Sequence, residues 1–496
     1  MTLLKRNTIS SVLLQIVRII CGFILPRFIL EAFGSDTNGL ISSIAQFLQL
    51  FNFLDLGVSA VIQSALYRPL AMHNKRELSC VIISANKFYR MLAKALLVYV
   101  AFLLVLLPRY LSKDIDNYFV TTLLIVMSFD SFIQYYFGLV NTILISADQH
   151  GYINNILSII TIIINTVISV LLIDLNFPIQ AVKFTSAFIY LIRPIIIFVY
   201  VHHHYEIDYS VKYDKEPIRQ KWSGVAQHIC AVILDGTDIV ILSLFSTLSN
   251  ISVYSVYNLV VNGIRSISLS AGNGMQPYLG ALLATGKLKE AQRVFLRFEW
   301  IIHSITTVIF GCTSVLIVSF VSIYTQRIRD INNNEPVFGC LISLAQAFRC
   351  IRLPYNITIL AAGHYKQTQS NYIIASLINI STSIILVLRL GVVGVAIGTL
   401  IAFIYQNIWM ALYVSQKILH LSFQHFIKQT FVDSISFTIS FLLSQYIDCG
   451  ASNILDWIIK SVLIFLTWSS VSLIVNLAVY KDNTSLLFRK IFGSIL

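Results

Sequence analysis

The chain has 496 residues, of which 57% are hydrophobic and only 12% are charged, whereas soluble domains average about 25% charged residues. This composition excludes a soluble enzyme or binding module as the main body of the protein and predicts one membrane domain. The formal net charge of +12 occurs without a nucleic-acid-binding motif, so we expect the excess in cytoplasmic loops and no nucleic-acid partner.

Apolar runs of membrane-crossing length follow one another from end to end. A spanning helix needs about 20 mostly apolar residues, and the sequence predicts an all-α polytopic membrane protein with about 14 transmembrane helices. The predicted runs lie near residues 8–30, 39–62, 91–108, 118–145, 152–173, 178–201, 222–247, 252–283, 296–323, 337–362, 371–389, 391–414, 428–447 and 452–479. The first run has no cleavage site after it, so we expect a retained helix.

Glycine and proline inside these runs mark expected kinks. Membrane helices tolerate them where neighbouring groups satisfy the freed carbonyls. The candidate positions are Gly22, Pro26, Pro194 and Pro354.

Two segments of the chain share a layout that indicates an internal repeat. Phe33 to Lys75 and Phe245 to Lys287 each pass from a short outer loop through a helix into a basic segment. Six predicted helices separate them, so the repeat is parallel. We therefore predict a six-helix bundle over 1–205, a cytoplasmic linker over 206–221, a second six-helix bundle over 222–416, and two additional helices with a cytoplasmic tail over 417–496.

The distribution of lysine and arginine predicts the orientation. With the N-terminus inside, about 22 basic residues fall in one set of loops and span ends and 6 in the opposite set. Positive loops are retained on the cytoplasmic side, so both termini should be cytoplasmic.

Five arginines lie deep within predicted helices, where each costs about 2.5 to 3.5 kcal/mol on insertion scales and so needs a partner or water. A guanidinium group donates two parallel hydrogen bonds to phosphate oxygens and stays charged. We therefore predict a cationic, substrate-binding cavity. The candidates are Arg18, Arg193, Arg265, Arg349 and Arg352.

Four of the acids in other predicted runs admit two further interpretations. They can pair with the arginines and join helices, or they can bind a coupling ion, because a carboxylate in a low-dielectric cavity accepts a proton more readily. The sequence leaves both open. These residues are Asp55, Asp130, Asp235 and Asp238.

Motifs of enzymes and metal sites are missing from the sequence. The seven cysteines have no CxxC or CxxH spacing, and the run His202 to His204 has no cysteine nearby, so we expect no metal and no cofactor. Walker, nucleophile-elbow and HExxH motifs are absent. We expect a protein that is not an enzyme.

Two stretches carry a family resemblance. GFILPRFILEAFGSDTNGLISSIAQFLQLFNFLDLGVSAVIQSALYRPLA and ILDGTDIVILSLF, the second followed by VYSVYNLVV, resemble the Wzx-type polysaccharide (O-antigen) flippases of the multidrug/oligosaccharidyl-lipid/polysaccharide exporter superfamily. The likeness covers nearly the whole chain.

The resemblance implies two six-helix bundles around a central cavity, alternating access, and an undecaprenyl-pyrophosphate-linked oligosaccharide as substrate. It also implies a role in O-antigen and lipopolysaccharide synthesis at the bacterial inner membrane, beside a polysaccharide polymerase and a chain-length regulator. Likeness to the lipid II flippase suggests that the last two helices border the polyprenyl tail, among membrane lipids.

Two rival functions remain. A multidrug or cation exporter of the same superfamily should present net acidic residues at mid-membrane, whereas here basic residues outnumber acidic ones. A membrane-embedded glycan transferase or polymerase usually needs a larger outer loop than this chain has.

Overall fold

The structure is a computed structural model. It describes residues 3–51, 58–111, 116–211, 225–270, 272, 275–328, 333–447 and 453–481.

Helices and turns account for the described residues, which contain no β-strand. Two π-helical segments, Gln134–Gly138 and Val414–Ile418, follow α4 and α14 directly. In chain order the α-helices are α1 (Leu3–Leu50), α2 (Val58–Ala71), α3 (Lys75–Leu111), α4 (Asn117–Ile133), α5 (Leu139–Ala147), α6 (Gly151–Asp174), α7 (Ile179–His204), α8 (Val225–Phe245), α9 (Leu248–Ser270), α10 (Met275–Ala284), α11 (Leu288–Tyr324), α12 (Pro336–Ile351), α13 (Leu353–Ala361), α14 (Tyr365–Tyr413), α15 (Gln424–Ser444) and α16 (Ile454–Val479).

In the described part of the chain, ten helices are long and apolar enough to cross a membrane. Two of them, α1 and α14, each contain a backbone break and cover two predicted runs. Helix α8, of 21 residues, coincides with the run near 222–247, whereas the run near 252–283 is divided between α9, of 23 residues, and α10. The predicted all-α, multi-pass membrane fold is confirmed.

The non-helical positions inside α1 and α14 are two glycines with positive φ that were not predicted as kinks. Helix α1 continues through Gly22 and Pro26 and leaves helical geometry at Gly34, with φ 80° and ψ 176°. Helix α14 breaks at Gly391, with φ 53° and ψ −128°. Residues with a Cβ avoid both conformations, so these glycines allow two spans to follow each other without a loop.

The other two predicted kink positions have different outcomes. Pro194 lies inside α7, which continues to His204. Pro354 stands in the first turn of α13, just after α12 ends at Ile351. At that position a missing backbone N–H has no helical acceptor to lose.

The chain divides into two compact units. The N-terminal unit comprises residues 1–232 and 247–252, and within it α6 packs against α1 and α7, while α4 packs against α7 and α3. The C-terminal unit comprises residues 233–246 and 253–496. In this unit α11 is central and packs against α12, α15 and α16.

Helix α15 turns a polar face toward the rest of the C-terminal unit. Its buried residues are Gln429, Val432, Ser436, Ser440 and Ser444. Lipid offers no hydrogen-bond partners to polar side chains, so a helix surrounded only by lipid would not be expected to have a polar face. The buried face of α15 therefore indicates specific contacts with protein.

One large side chain of α16, Trp468, packs into the C-terminal unit. Trp468 is buried, and its Nε1 donates a hydrogen bond to Ser444 Oγ at 2.9 Å. Its ring lies against Gly311 of α11, where an added Cβ would come within 1.8 Å of the ring. The absence of a side chain at Gly311 creates the space that Trp468 occupies.

Candidate functional site

The five arginines predicted to bind substrate form two groups, one in each compact unit. Arg18 and Arg193 lie in the N-terminal unit, and Arg265, Arg349 and Arg352 lie in the C-terminal unit. Each group is described by itself.

The N-terminal group lines a pocket of about 220 Å³ that includes Arg18, Asp130, Tyr190 and Arg193. Arg193 Nη1 donates a hydrogen bond to Ser158 Oγ at 3.3 Å and interacts electrostatically with Asp130. Both of these charged side chains are half-buried, whereas Arg18 is exposed. One acid and two arginines thus share this pocket.

A local irregularity shapes this pocket. The π-helical segment Gln134–Gly138 begins four residues after Asp130 and contributes both of its end residues to the lining. A Cβ added to Gly138 would come within 3.3 Å of Pro194 Cβ on α7. The glycine therefore permits close approach to α7, and single π-turns inside helices are frequent at functional sites.

The C-terminal group forms where α9, α12 and α14 meet. Arg265 Nη1 on α9 donates a hydrogen bond to Gln346 Oε1 on α12 at 3.2 Å. The guanidinium carbons of Arg349 and Arg352 lie 5.9 and 5.6 Å from the centre of the Phe403 ring. Both side chains therefore point toward the same ring on α14, as their three-residue spacing predicts.

Arg352 has two further contacts on α14. Its Nη1 donates a hydrogen bond to Gln406 Oε1, and its guanidinium carbon lies 5.9 Å from the centre of the Tyr372 ring. Aromatic rings attract cations through their negative faces. Neutral amides and rings thus orient this guanidinium group.

Asp238 lies in the same unit and is 8% exposed. Tyr254 Oη donates a hydrogen bond to Asp238 Oδ2 at 2.8 Å, and Thr399 Oγ1 lies 2.9 Å from both carboxylate oxygens. Tyr254 also interacts electrostatically with Arg265 and Arg349. The acid therefore hydrogen-bonds one tyrosine on which two of the arginines also act electrostatically.

Two of the predicted acids cannot be placed. Asp55 lies outside the described residues, and the side chain of Asp235 does as well, although its backbone belongs to α8.

A second group of ionisable side chains was not predicted from the sequence. Glu299 and His303 on α11, Tyr355 on α13 and Asp433 on α15 form a continuous series of polar contacts, which we call the Glu299–Asp433 chain. Tyr355 Oη donates to Glu299 Oε1 and lies 3.4 Å from His303 Nε2. His303 Nδ1 lies 2.6 Å from Asp433 Oδ2, and Gln429 Nε2 donates to Asp433 Oδ1 at 3.3 Å.

The signal for this chain was present but indirect. Glu299 and His303 are four residues apart, so they share a helix face, and both lie in an apolar run. Their partners on α13 and α15 are 52 or more residues away in sequence. Only the packing of α13 and α15 against α11 brings them together. Within the described residues, no group of three or more His, Cys, Asp or Glu side chains could hold a metal ion.

Proteins similar to this chain are found among solved structures. No protein-family model matches the sequence, and no curated protein matches it significantly. A structure of the lipid II flippase MurJ in an inward closed conformation superposes with a TM-score of 0.70 at 15% identity, over 96% of this chain and 99% of MurJ. The MurJ fold is present here.

Multidrug transporters share this fold to a smaller extent. An inward-facing MATE family transporter of the MOP superfamily has a TM-score of 0.62 at 12% identity, over 81% of this chain and 98% of its own. The MATE multidrug transporter DinF-BH has a TM-score of 0.52 at 15% identity, over 85% of this chain and 97% of its own. These neighbours are transporters and flippases.

Proposed function

We propose that this protein is a flippase that moves undecaprenyl-pyrophosphate-linked oligosaccharide repeat units from the cytoplasmic to the outer leaflet. Each sugar hydroxyl costs several kcal/mol to place in hydrocarbon without a hydrogen-bond partner, so the head group needs a polar route. The polyprenyl tail can remain in lipid while the head group crosses.

The observation that carries this proposal is the grouping of Arg265, Arg349 and Arg352 at the meeting point of α9, α12 and α14. Three guanidinium groups in one part of the C-terminal unit provide the charge and the planar donors that a pyrophosphate needs. Arg349 and Arg352 are three residues apart, and Arg265 lies on a facing helix, so their positive charge is concentrated in one place. This concentration of positive charge suits a substrate with an anionic head group.

The N-terminal pocket provides a second set of contacts in this proposal. Arg18 and Arg193 would bind anionic or hydroxyl groups of the head group, while Asp130 acts as a counter-ion to Arg193. Asp238 is assigned to ion coupling, because it lies among hydroxyl donors in the C-terminal unit. Alternating access by movement of the two units would then expose the head group on the outer side.

The environment of the protein follows from the same proposal. We place it in a bacterial inner membrane with both termini cytoplasmic, supplying repeat units to a polysaccharide polymerase and a chain-length regulator. Helices α15 and α16 would border the polyprenyl tail.

Replacing two arginines tests the substrate assignment. In a strain deleted for the native gene, the double variant Arg265→Ala, Arg349→Ala should fail to restore surface polysaccharide and should leave lipid-linked repeat units on the cytoplasmic leaflet. The reason is the loss of two charge-assisted contacts to the diphosphate. The measurements are surface polysaccharide, leaflet-resolved lipid-linked saccharide and protein abundance.

A matched control is Lys460→Ala, which removes a basic side chain of α16 that pairs with Asp456 at 3.2 Å. This control should restore surface polysaccharide. Wild-type polysaccharide from the double arginine variant at normal abundance would refute the arginine model.

A multidrug or cation exporter is the second candidate, because MATE transporters share the fold. The deletion strain separates the two functions. An exporter defect leaves no trapped lipid-linked saccharide, a polymerase defect leaves it on the outer leaflet, and a flippase defect leaves it on the cytoplasmic leaflet.

A further inference from the structure

The Glu299–Asp433 chain joins three helices of the C-terminal unit through side chains that carry exchangeable protons. Glu299 is 4% and His303 0% exposed, and Tyr355 is also buried. Buried ionisable groups in a membrane protein are costly and usually functional. The arrangement of hydrogen-bond donors along the chain shows what these groups can do.

Tyr355 determines the number of proton arrangements. Its hydroxyl has one proton, yet its oxygen contacts both Glu299 Oε1 and His303 Nε2. In one arrangement Tyr355 donates to an ionised Glu299, and a doubly protonated His303 donates from Nε2 to the tyrosine oxygen. In the other, a protonated Glu299 donates to Tyr355, which donates to Nε2 of a neutral His303.

The two arrangements contain the same number of protons. Converting the first into the second moves the His303 Nε2 proton to the Tyr355 oxygen and the tyrosine proton to Glu299. In both, His303 Nδ1 keeps its proton and donates to an ionised Asp433 at 2.6 Å. Heavy atoms need not move, so a proton can pass along these side chains.

The charge of the chain favours uptake of one more proton. Either arrangement has one net negative charge, and burying an uncompensated charge is expensive. Among the described residues, His425 on α15 and Tyr480 after α16 also interact electrostatically with it. Lys428 Nζ lies 4.7 Å from the centre of the Tyr480 ring. These groups contribute to the electrostatic environment of the Glu299–Asp433 chain.

A cavity of about 330 Å³ gives one end of the chain room for water. His303 and Asp433 line this cavity together with Thr306, Thr430 and Asn407. Asn407 is 1% exposed, and its Oδ1 atom has no hydrogen-bond partner among the described residues. An unpaired buried carbonyl in a cavity that hydroxyl groups also line is a suitable site for ordered water. Water there would exchange protons with Asp433.

We propose that the Glu299–Asp433 chain is a proton relay, built at the junction of α15 with α11 and α13, that takes up and releases a proton during transport. The link to transport rests on the proposed flippase function, whereas proton binding does not. The polar face of α15 contributes to this relay, because it places Asp433 and Gln429 against α11.

A purely structural role for these side chains makes a different prediction. If they only hold α15 in place, removing one polar atom should lower stability without changing proton binding. The test therefore needs a measurement of protons as well as a measurement of stability.

Tyr355→Phe removes the hydroxyl that both proton arrangements require and keeps the ring. In proteoliposomes containing the full-length protein and an internal pH-sensitive dye, we expect the wild type to show proton movement under an imposed pH gradient and Tyr355→Phe to lose it. The matched control is Tyr257→Phe. Tyr257 is equally buried and donates to the Asn333 carbonyl at 2.8 Å, but it does not belong to the Glu299–Asp433 chain. This control should retain proton movement.

Glu299→Gln tests where the proton resides. In purified full-length protein, pH-difference infrared spectra of the wild type should contain a carboxylic-acid band that Glu299→Gln removes. The control Asp456→Asn changes an acid of the α16 ion pair and should leave that band in place.

Failure of this proposal is separable from failure of the proposed function. Identical wild-type and Glu299→Gln spectra, or full proton movement in Tyr355→Phe, would refute the relay. A protein that binds and moves protons in both assays but leaves no trapped lipid-linked saccharide in the deletion strain would keep the relay and refute the flippase.

Discussion

At the scale of single residues, charged groups inside the membrane are distinguished by their partners. Asp238 contacts two hydroxyl groups, whereas Asp130 shares a pocket with Arg193 and interacts with it electrostatically. Both were equal candidates for ion coupling on sequence grounds. Hydroxyl donors orient the Asp238 carboxylate for a coupling ion, while Asp130 shares its pocket with two arginines.

Asp238→Asn should therefore change the dependence of transport on a proton or sodium gradient. The amide retains the size of the side chain and can still accept from Tyr254, but it has no charge to offer a cation. The measurement is transport in vesicles under each gradient in turn, with the exposed Asp174→Asn as control. Gradient dependence equal to the wild type would assign Asp238 to the arginines as a counter-ion.

Tyr205, just after the end of α7, makes a short polar contact with the segment after α5. Its Oη donates a hydrogen bond to Asp148 Oδ2 at 2.5 Å. Burial, reinforced by this hydrogen bond and by the Asp148 charge, raises the pKa of Tyr205 above its usual value. The neutral form that donates the bond is thereby favoured in the folded protein.

Tyr205→Phe should lower the free energy of unfolding by about 1.5 kcal/mol at neutral pH, the lower end for a hydrogen bond to a charged group. Because the folded pKa is raised, the wild-type advantage should persist below pH of about 10, the usual pKa of tyrosine, and decline above it. Thermal unfolding of the detergent-solubilised protein across pH measures this. The exposed Tyr209→Phe is the control, and an advantage that grows with alkaline pH would contradict the assignment.

At the scale of helices, small residues determine which pairs approach closely. Gly311 on α11 leaves the space for the Trp468 ring. A Cβ added at Gly311 would lie 1.8 Å from the nearest atom of that ring. The ring cannot move away without breaking its hydrogen bond to Ser444. Overpacking of this kind forces strain or separation of the two helices.

Gly311→Ala should therefore destabilise the protein by about 1 to 3 kcal/mol. Thermal unfolding in detergent provides the measurement. The control is Gly280→Ala on α10, where the nearest atom to an added Cβ is the Ala361 oxygen at 3.6 Å, an ordinary contact. Equal stability of the two variants would show that Trp468 has room to shift.

At the scale of the whole molecule, the fold is shared by MurJ and MATE transporters, while the charge distribution is a property of this sequence. The fold accommodates cargo of different chemistry, so fold alone does not identify the substrate. The proposal of an anionic substrate therefore depends on the intramembrane arginines.

The orientation of the molecule is also a prediction from charge. Single cysteines introduced near either terminus of a variant without native cysteines should react with a membrane-impermeant thiol reagent only after the cells are opened. A cysteine in the outer loop at Asp116 should react in intact cells. Labelling of a terminus in intact cells would reverse the predicted topology.

The sequence by itself determined the fold class, because apolar length and the spacing of basic loops are local properties of the chain. It also identified the arginines, since a guanidinium group in an apolar run stands out wherever the helix packs. It did not predict the non-helical positions Gly34 and Gly391, because glycine permits a positive φ without requiring one.

Only the tertiary structure decided which charged side chains meet. Arg265 reaches Gln346 across 81 residues and His303 reaches Asp433 across 130, and no local pattern encodes such separations. The Glu299–Asp433 chain was missed for this reason. Its members become a candidate site when α11, α13 and α15 pack together, because proximity of donors and acceptors is created by helix packing.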